Sequence, residues 1–232
     1  MKEGKDLQKL FADVGAKFGY LNIEARFVDF CDVKIKWIRE GTTIRFWITD
    51  YLKDAPDSVL ESLATTLFNK MYKDADSRYS DEFLDYMTSE GFIMECQPIY
   101  LSRLEGASAS PVGRFKDLRR SVERLSENGM IEPIPHTYFG WLPLGLGDCI
   151  GHTSPIMRCV CINPRLDRLN VSDDVLDFCV YLQMLKVQYG FGPLGNESRR
   201  SFLEKVNEYP DSLKLMSEMG ALGLSLSNEV SP

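Results

Sequence analysis

The sequence predicts an α+β protein, and three observations support this prediction. Residues 5–18 place apolar side chains at helical spacing, which predicts an amphipathic helix. Residues 23–39 and 42–49 alternate apolar and polar side chains, as half-buried strands do, with a turn between them at residues 40–41. Small and turn-forming residues replace this periodicity at 105–113, which predicts a linker.

The remaining elements follow from the same kinds of signal. Pro56 begins a helix that runs to about residue 72, because proline suits the first turn and Asp57 suits its positive end. The other predicted elements are a helix at 81–89, an extended piece at 93–100, a helix at 115–128, a strand at 137–142, a hairpin at 148–163 around Ser154-Pro155, a long helix at 173–189, and helices at 198–208 and 211–220. We therefore predict an α/β region at 1–110, a second domain at 111–222 and a flexible tail at 223–232.

Composition and charge narrow the classes of function. The net charge is −7, whereas nucleic-acid binding needs concentrated Lys and Arg, so a nucleic-acid partner is not expected. The basic stretch from Arg114 to Arg124 is interrupted by Asp117 and Glu123 and is most simply a solvated helix face. The sequence contains no apolar run of about 18 residues, and residues 1–5 lead into an amphipathic helix rather than a secretory segment. We expect a soluble, cytoplasmic protein without a membrane partner.

The six cysteines are scattered along the chain, so reduced and mostly buried thiols are expected. Cys159 and Cys161 would share one face of a strand, and a two-residue turn at Ser154-Pro155 would place His152 on that face too. Cys149 would point the other way, which leaves three metal ligands at best. Because small buried cysteines are common in protein cores, a metal site here is the weaker alternative.

The predicted helix at 173–189 contains the most informative segment, Val-Leu-Asp-Phe-Cys-Val-Tyr-Leu-Gln-Met-Leu-Lys at 175–186. Its apolar residues alone predict a buried core helix. The segment also resembles VLDYVVYHELLH of the SprT-like zinc metallopeptidases, gluzincin-related proteins with an HExxH helix. Further segments resemble this family in order and spacing across roughly residues 25 to 220, some of them only its longer archaeal relatives: 44–46, 50–51, 54–68, Gly113–Leu118, Trp141, Asn163–Asp167, 171–175, 189–191, Phe202 and Tyr209-Pro210.

The resemblance implies a zinc site whose residues have been replaced. The family's two histidines and general base fall at Leu182, Lys186 and Gln183, and its third zinc ligand falls at Ser198. An aliphatic group cannot ligate zinc, an amide cannot take a proton from water at neutral pH, and a lysine is normally cationic. The fold implied is helices packed on a small mixed or antiparallel sheet with a hairpin, with no catalytic residue and no zinc or other cofactor.

Lys186 is the most interesting of these positions, because it lies one turn from Leu182 on the face that should look into the former cleft. A buried ammonium needs a partner, and Glu197 or Glu204 would supply one; alternatively the side chain extends to solvent. The candidate binding residues are therefore Lys186, Glu197, Glu204 and Tyr181.

The sequence therefore predicts a noncatalytic metallopeptidase homologue that binds protein or peptide through the remnant cleft. Peptidase clefts commonly hold substrate as an added β-strand, and the hairpin at 148–163 is the candidate edge. One alternative is an active hydrolase with a nonstandard site around His152 and the thiols of Cys159 and Cys161. A second alternative is a structural subunit that partners an intact relative.

Overall fold

The structure is a computed structural model that describes residues 6–72, 78–104, 106–108, 110–143, 145, 147–189 and 196–225, without the side chains of Tyr72 and of 196–199. The described residues form eight α-helices and two three-stranded sheets, so the predicted α+β class is confirmed. Within the described ranges, no helix is both long and apolar enough to cross a membrane. The chain divides into two compact units, Met1–Cys96 and Gln97–Pro232, which are described separately below.

The first unit is built around a mixed sheet in the order β1-β3-β2, in which β1 runs parallel and β2 antiparallel to β3. Its elements are α1 (Leu7–Lys17), β1 (Asn22–Val28), β2 (Ile35–Glu40), β3 (Thr43–Thr49), a 3₁₀ turn (Asp50–Leu52), α2 (Asp57–Tyr72), α3 (Asp81–Thr88) and the first part of α4 (Glu90–Arg103).

The core of this unit follows from the alternation of β3. Ile44, Phe46 and Ile48 are fully buried on one face of the strand, as period-two alternation requires. The Phe46 ring contacts Phe11 of α1 at 5.0 Å between centroids and Phe68 of α2 at 5.3 Å. The apolar sides of both helices therefore cover one face of the sheet.

Two predicted elements of the first half are wrong. The single strand expected at 23–39 is two strands: β1 runs parallel and β2 antiparallel to β3, so the chain must reverse its direction between β1 and β2. The extended piece expected at 93–100 belongs to the helix α4. Pro98 disfavours a helix interior, but Phe92, Cys96 and Tyr100 are buried four residues apart, which is helical spacing.

The second unit contains a smaller mixed sheet in the order β4-β6-β5, with β4 parallel and β5 antiparallel to β6. Its elements are the remainder of α4, α5 (Leu118–Glu127), β4 (Tyr138–Trp141), β5 (Gly151–Ser154), β6 (Cys159–Ile162), a 3₁₀ turn (Pro164–Leu166), α6 (Asp173–Tyr189), α7 (Asn196–Glu208) and α8 (Ser212–Ala221). The predicted hairpin at 148–163 and the long helix at 173–189 are confirmed.

The helix α6 forms the centre of this unit, since it is buried around most of its circumference. The loop ahead of α5 is fixed by Asp167, whose carboxylate accepts hydrogen bonds from the backbone N–H groups of Arg114, Phe115 and Lys116 at 2.6, 2.8 and 2.9 Å. The Asp117 side chain then caps α5, so this helix begins at Leu118 rather than at the predicted residue 115.

The predicted domain boundary near residue 110 lies in the loop after α4, and the division between the two compact units falls between Cys96 and Gln97, within α4. The tail expected from residue 223 begins with packed residues, because Leu224 is buried and the Ser225 N–H donates to the Asp148 carbonyl at 2.9 Å. Residues 226–232 lie outside the described part of the chain.

Candidate functional site

Leu182 is fully buried in the hydrophobic core of the second unit. Its side chain packs among core residues of that unit and does not line an open cleft. The position at which the resemblance expects a first zinc ligand is therefore part of the packing of α6.

Gln183 is also fully buried, and it joins α6 to the sheet. The Thr153 hydroxyl on β5 donates to Gln183 Oε1 at 2.7 Å. The helix and the strand approach closely here, because a Cβ atom at Gly151 would lie 3.3 Å from Gln183 Cγ and Cδ and 2.5 Å from the Cys161 carbonyl oxygen. Gln183, which the resemblance places at the position of a general base, thus contacts the strand β5 directly, through a contact that sequence reasoning missed.

The candidate binding residues occupy the end of α6 and the facing helix α7. Lys186 is partly buried. Glu204 is exposed and accepts a hydrogen bond from Arg200 Nε at 2.9 Å, an i,i+4 ion pair on the surface of α7. Glu197 and Ser198 belong to α7, but their side chains lie outside the described residues.

Tyr181 connects α6 to α7 through its hydroxyl group. The side chain is buried, and the hydroxyl donates to the Lys205 carbonyl oxygen at 3.0 Å. Burial raises the pKa of Tyr181 to about 12, so the hydroxyl remains a neutral hydrogen-bond donor across the physiological range. Tyr181 therefore holds the two helices together.

The strand β5 is an edge of the second sheet. The Asn163 N–H donates to the Ile150 carbonyl at 2.9 Å, so residues 150 and 163 form a hydrogen-bonded pair, and every second pair along β5 and β6 is of the same kind. Residues 152 and 154 then bond to β6, and the backbone groups of Gly151 and Thr153 point away from it. Among the described residues these groups have no backbone partner. At the opposite edge, the Ser108 N–H donates to the Trp141 carbonyl beside β4 at 2.8 Å.

His152, Cys159 and Cys161 share one face of the hairpin, because His152 pairs with Cys161 in the register of β5 and β6. The turn between the strands spans residues 155–158 rather than two residues. The His152 Nε2 atom lies 2.6 Å from the Tyr100 hydroxyl oxygen. In the portion of the chain that the structure describes, no group of three His, Cys, Asp or Glu residues could hold a metal ion.

The two thiols of this face are unsuited to nucleophilic chemistry. Cys159 and Cys161 are fully buried. Burial raises the pKa of the Cys159 thiol, and it raises the pKa of Cys161 to about 11. The thiolate is the reactive form of cysteine, so the raised pKa lowers the reactive fraction of both groups at neutral pH.

Two basic residues that were predicted to lie on a solvated helix face, Lys116 and Arg124, instead form ion pairs with α6. Arg124 forms a two-point ion pair with Asp177 of α6, with both N···O distances 2.7 Å, and Lys116 Nζ lies 2.6 Å from Asp173. Arg119 remains on the surface and pairs with Asp117. The i,i+4 spacing of Asp173 and Asp177 is the signal that would have indicated an acidic stripe on α6.

Comparison of the chain with models of known protein families, with curated proteins and with solved structures gives no match.

Proposed function

We propose that the second unit is a noncatalytic homologue of the SprT-like zinc metallopeptidases and binds an extended peptide along the open edge of β5. The observation that carries this proposal is the hydrogen bond from Thr153 to Gln183. It puts the outer edge of β5, where Gly151 and Thr153 have no backbone partner among the described residues, directly beside the helix position where the family resemblance expects the general base. A peptide on this edge would lie over the same part of α6.

Binding without catalysis is consistent with the side chains present. Leu182 and Gln183 offer neither a zinc ligand nor a base, and the Leu182 side chain is packed within the hydrophobic core. Backbone pairing to an edge strand needs no metal, because the N–H and C=O groups of Gly151 and Thr153 supply the hydrogen bonds. Each such bond contributes about 0.5–1.5 kcal/mol, so side-chain contacts must add to the affinity.

A displayed library of short random peptides is the probe for this edge. We expect enriched peptides to bind the parent protein and to bind Thr153→Pro at least about tenfold more weakly, a difference of ~1.4 kcal/mol. The reason is that proline removes the outward N–H, and it leaves the bonds between β5 and β6 in place. Thr153→Val is the matched control, since it also loses the bond to Gln183 but keeps the N–H. It should bind enriched peptides like the parent.

Hydrogen exchange gives a second measurement on the unmutated protein. A bound peptide should slow exchange of the Thr153 amide, which faces outward, more than that of the His152 amide, which already bonds to β6. A library without enriched peptides, equal binding by the proline and valine variants, or unchanged exchange at Thr153 would each contradict the proposal.

A further inference from the structure

The two edges of the sheet in the first unit differ. On β1, the side-chain amide of Gln8 from α1 accepts a hydrogen bond from the Ala25 N–H at 2.7 Å and donates to the Ile23 carbonyl. This amide occupies the place that a neighbouring strand would take. The β1 edge is therefore closed by the chain itself at its centre.

The β2 edge is open. The Thr49 N–H donates to the Lys34 carbonyl at 3.1 Å, so the even-numbered residues of β2 bond to β3. The backbone groups of Ile35, Trp37 and Arg39 point outward and have no backbone partner within the described ranges. Trp37 is 47% exposed and Ile38 is 42% exposed. An exposed strand edge with large apolar side chains is a template for another strand.

We propose that β2 pairs antiparallel with β2 of a second copy of this chain, with Ile38 facing Ile38. The outward backbone groups are compatible with this register, because Trp37 of each copy then exchanges hydrogen bonds with Arg39 of the other. The same pairing places Trp37 of each copy opposite Arg39 of the other, whose guanidinium lies 5.6 Å from the centroid of its own Tyr20 ring. The two Ile38 side chains meet at the two-fold axis.

The charges along β2 complement each other in this register, since Lys36 of each copy faces Glu40 of the other. Glu40 lies 2.5 Å from the Arg45 guanidinium, which also binds Glu24 at 2.9 Å. One cation thus serves two carboxylates, and Lys36 of the second copy supplies the missing positive charge.

Neighbouring registers fit less well. A register with Lys36 opposite itself opposes like charges. A register with Trp37 opposite itself places Lys36 opposite Ile38 instead of Glu40, so the pairing of opposite charges is lost. The charged residues on this edge therefore select one pairing rather than preventing every pairing.

Light scattering and sedimentation on the full chain test the dimer. We expect the parent to be dimeric, and Ile38→Lys to weaken association at least tenfold by placing two ammonium groups opposite each other. Ile38→Glu should do the same with two carboxylates. Mixing the two variants should restore a dimer that neither forms alone. Leu21→Lys is the matched control, because Leu21 is 86% exposed but precedes β1.

A cross-link tests the register independently. Facing residues of a non-hydrogen-bonded pair lie about 4.5 Å apart at Cα, which suits a disulfide. Ile38→Cys in a Cys31→Ser background should give a covalent dimer on mild oxidation, and Lys36→Cys should not. A parent that stays monomeric at every concentration, mixed variants that do not associate, or a cross-link at residue 36 instead of residue 38 would overturn the proposal. None of these outcomes depends on peptide binding by the second unit.

Discussion

The cysteines show how single residues of one type acquire different chemistry from their surroundings. Cys31 is exposed, Cys149 is partly buried, and Cys159 and Cys161 lie within the strand β6 with no exposed surface. Because a thiolate is more strongly solvated than a thiol, burial favours the protonated form. The pKa of Cys161 is thereby raised from 9.0 to about 11.

Thiol labelling of the folded protein at about pH 8, just below the ordinary thiol pKa, should follow this order. We expect iodoacetamide to modify Cys31 first, and to modify Cys159 and Cys161 only after unfolding, as read by mass spectrometry of peptides. Cys31→Ser should abolish the fast phase. Equal rates for Cys31 and Cys161 would show that the β6 thiols are accessible.

The same raised pKa predicts the direction of an alkaline effect. Between about pH 9 and pH 11 the unfolded chain loses the Cys161 proton while the folded chain keeps it. The contribution of this thiol to the free energy of unfolding is therefore complete below pH 9 and decreases as the pH rises through this range.

At the scale of elements, the contact between α5 and α6 depends on the Arg124–Asp177 ion pair. The Asp177 side chain is only 10% exposed, and it receives two hydrogen bonds from the guanidinium. The pair Arg119–Asp117 joins two residues at the N-terminal end of α5, and the Arg119 side chain is 60% exposed. The two arginines offer a direct comparison between a largely enclosed and a solvated pair.

Arg124→Ala should lower the free energy of unfolding by about 2 kcal/mol, because it leaves Asp177 without its partner in a desolvated site. The value is below the ~3 kcal/mol or more of fully buried pairs, since Arg124 is about one-third exposed. Arg119→Ala should cost between about 0 and 1 kcal/mol. Urea unfolding measures both. The double variant Arg124→Met with Asp177→Leu should recover much of the loss, and equal effects of the two arginine variants would contradict this role.

Elements with strong local signals could be predicted, and elements decided by distant contacts could not. Asp173–Tyr189 and the hairpin strands follow from periodicity within a few residues. The break after β1 depends on its parallel pairing with β3, which the local alternation does not contain. The candidate site divides in the same way, since Gln183 could be placed on its helix, but its contact with Thr153 is a tertiary contact between distant residues.

At the scale of the whole second unit, the family resemblance itself can be tested by restoring a metal site. Leu182→His, Gln183→Glu, Lys186→His and Ser198→His together would recreate two ligands at i and i+4, the adjacent base and the third ligand. We expect the fourfold variant to bind one zinc ion tightly by calorimetry. The parent should carry no stoichiometric zinc by elemental analysis and should not hydrolyse casein.

The threefold variant that keeps Ser198 is the matched control for this experiment, and it should bind zinc more weakly because it lacks one ligand. Leu182 and Gln183 are buried, so the fold of each variant must be verified by its unfolding transition. A folded fourfold variant that binds zinc no more tightly than the parent would contradict the proposed family resemblance or the register that it gives to Ser198.

The Gln8 amide on β1 has a consequence for the number of chains in an assembly. A sheet grows only where an edge offers unpaired backbone groups, and at the β1 edge of the first unit Gln8 already binds the Ile23 carbonyl and the Ala25 N–H. Pairing through β2 therefore ends at two copies. With both edges open, every added chain would present a new edge, and closed symmetry would give way to an open filament. The Gln8 side chain thus limits growth of the first unit's sheet to the β2 edge.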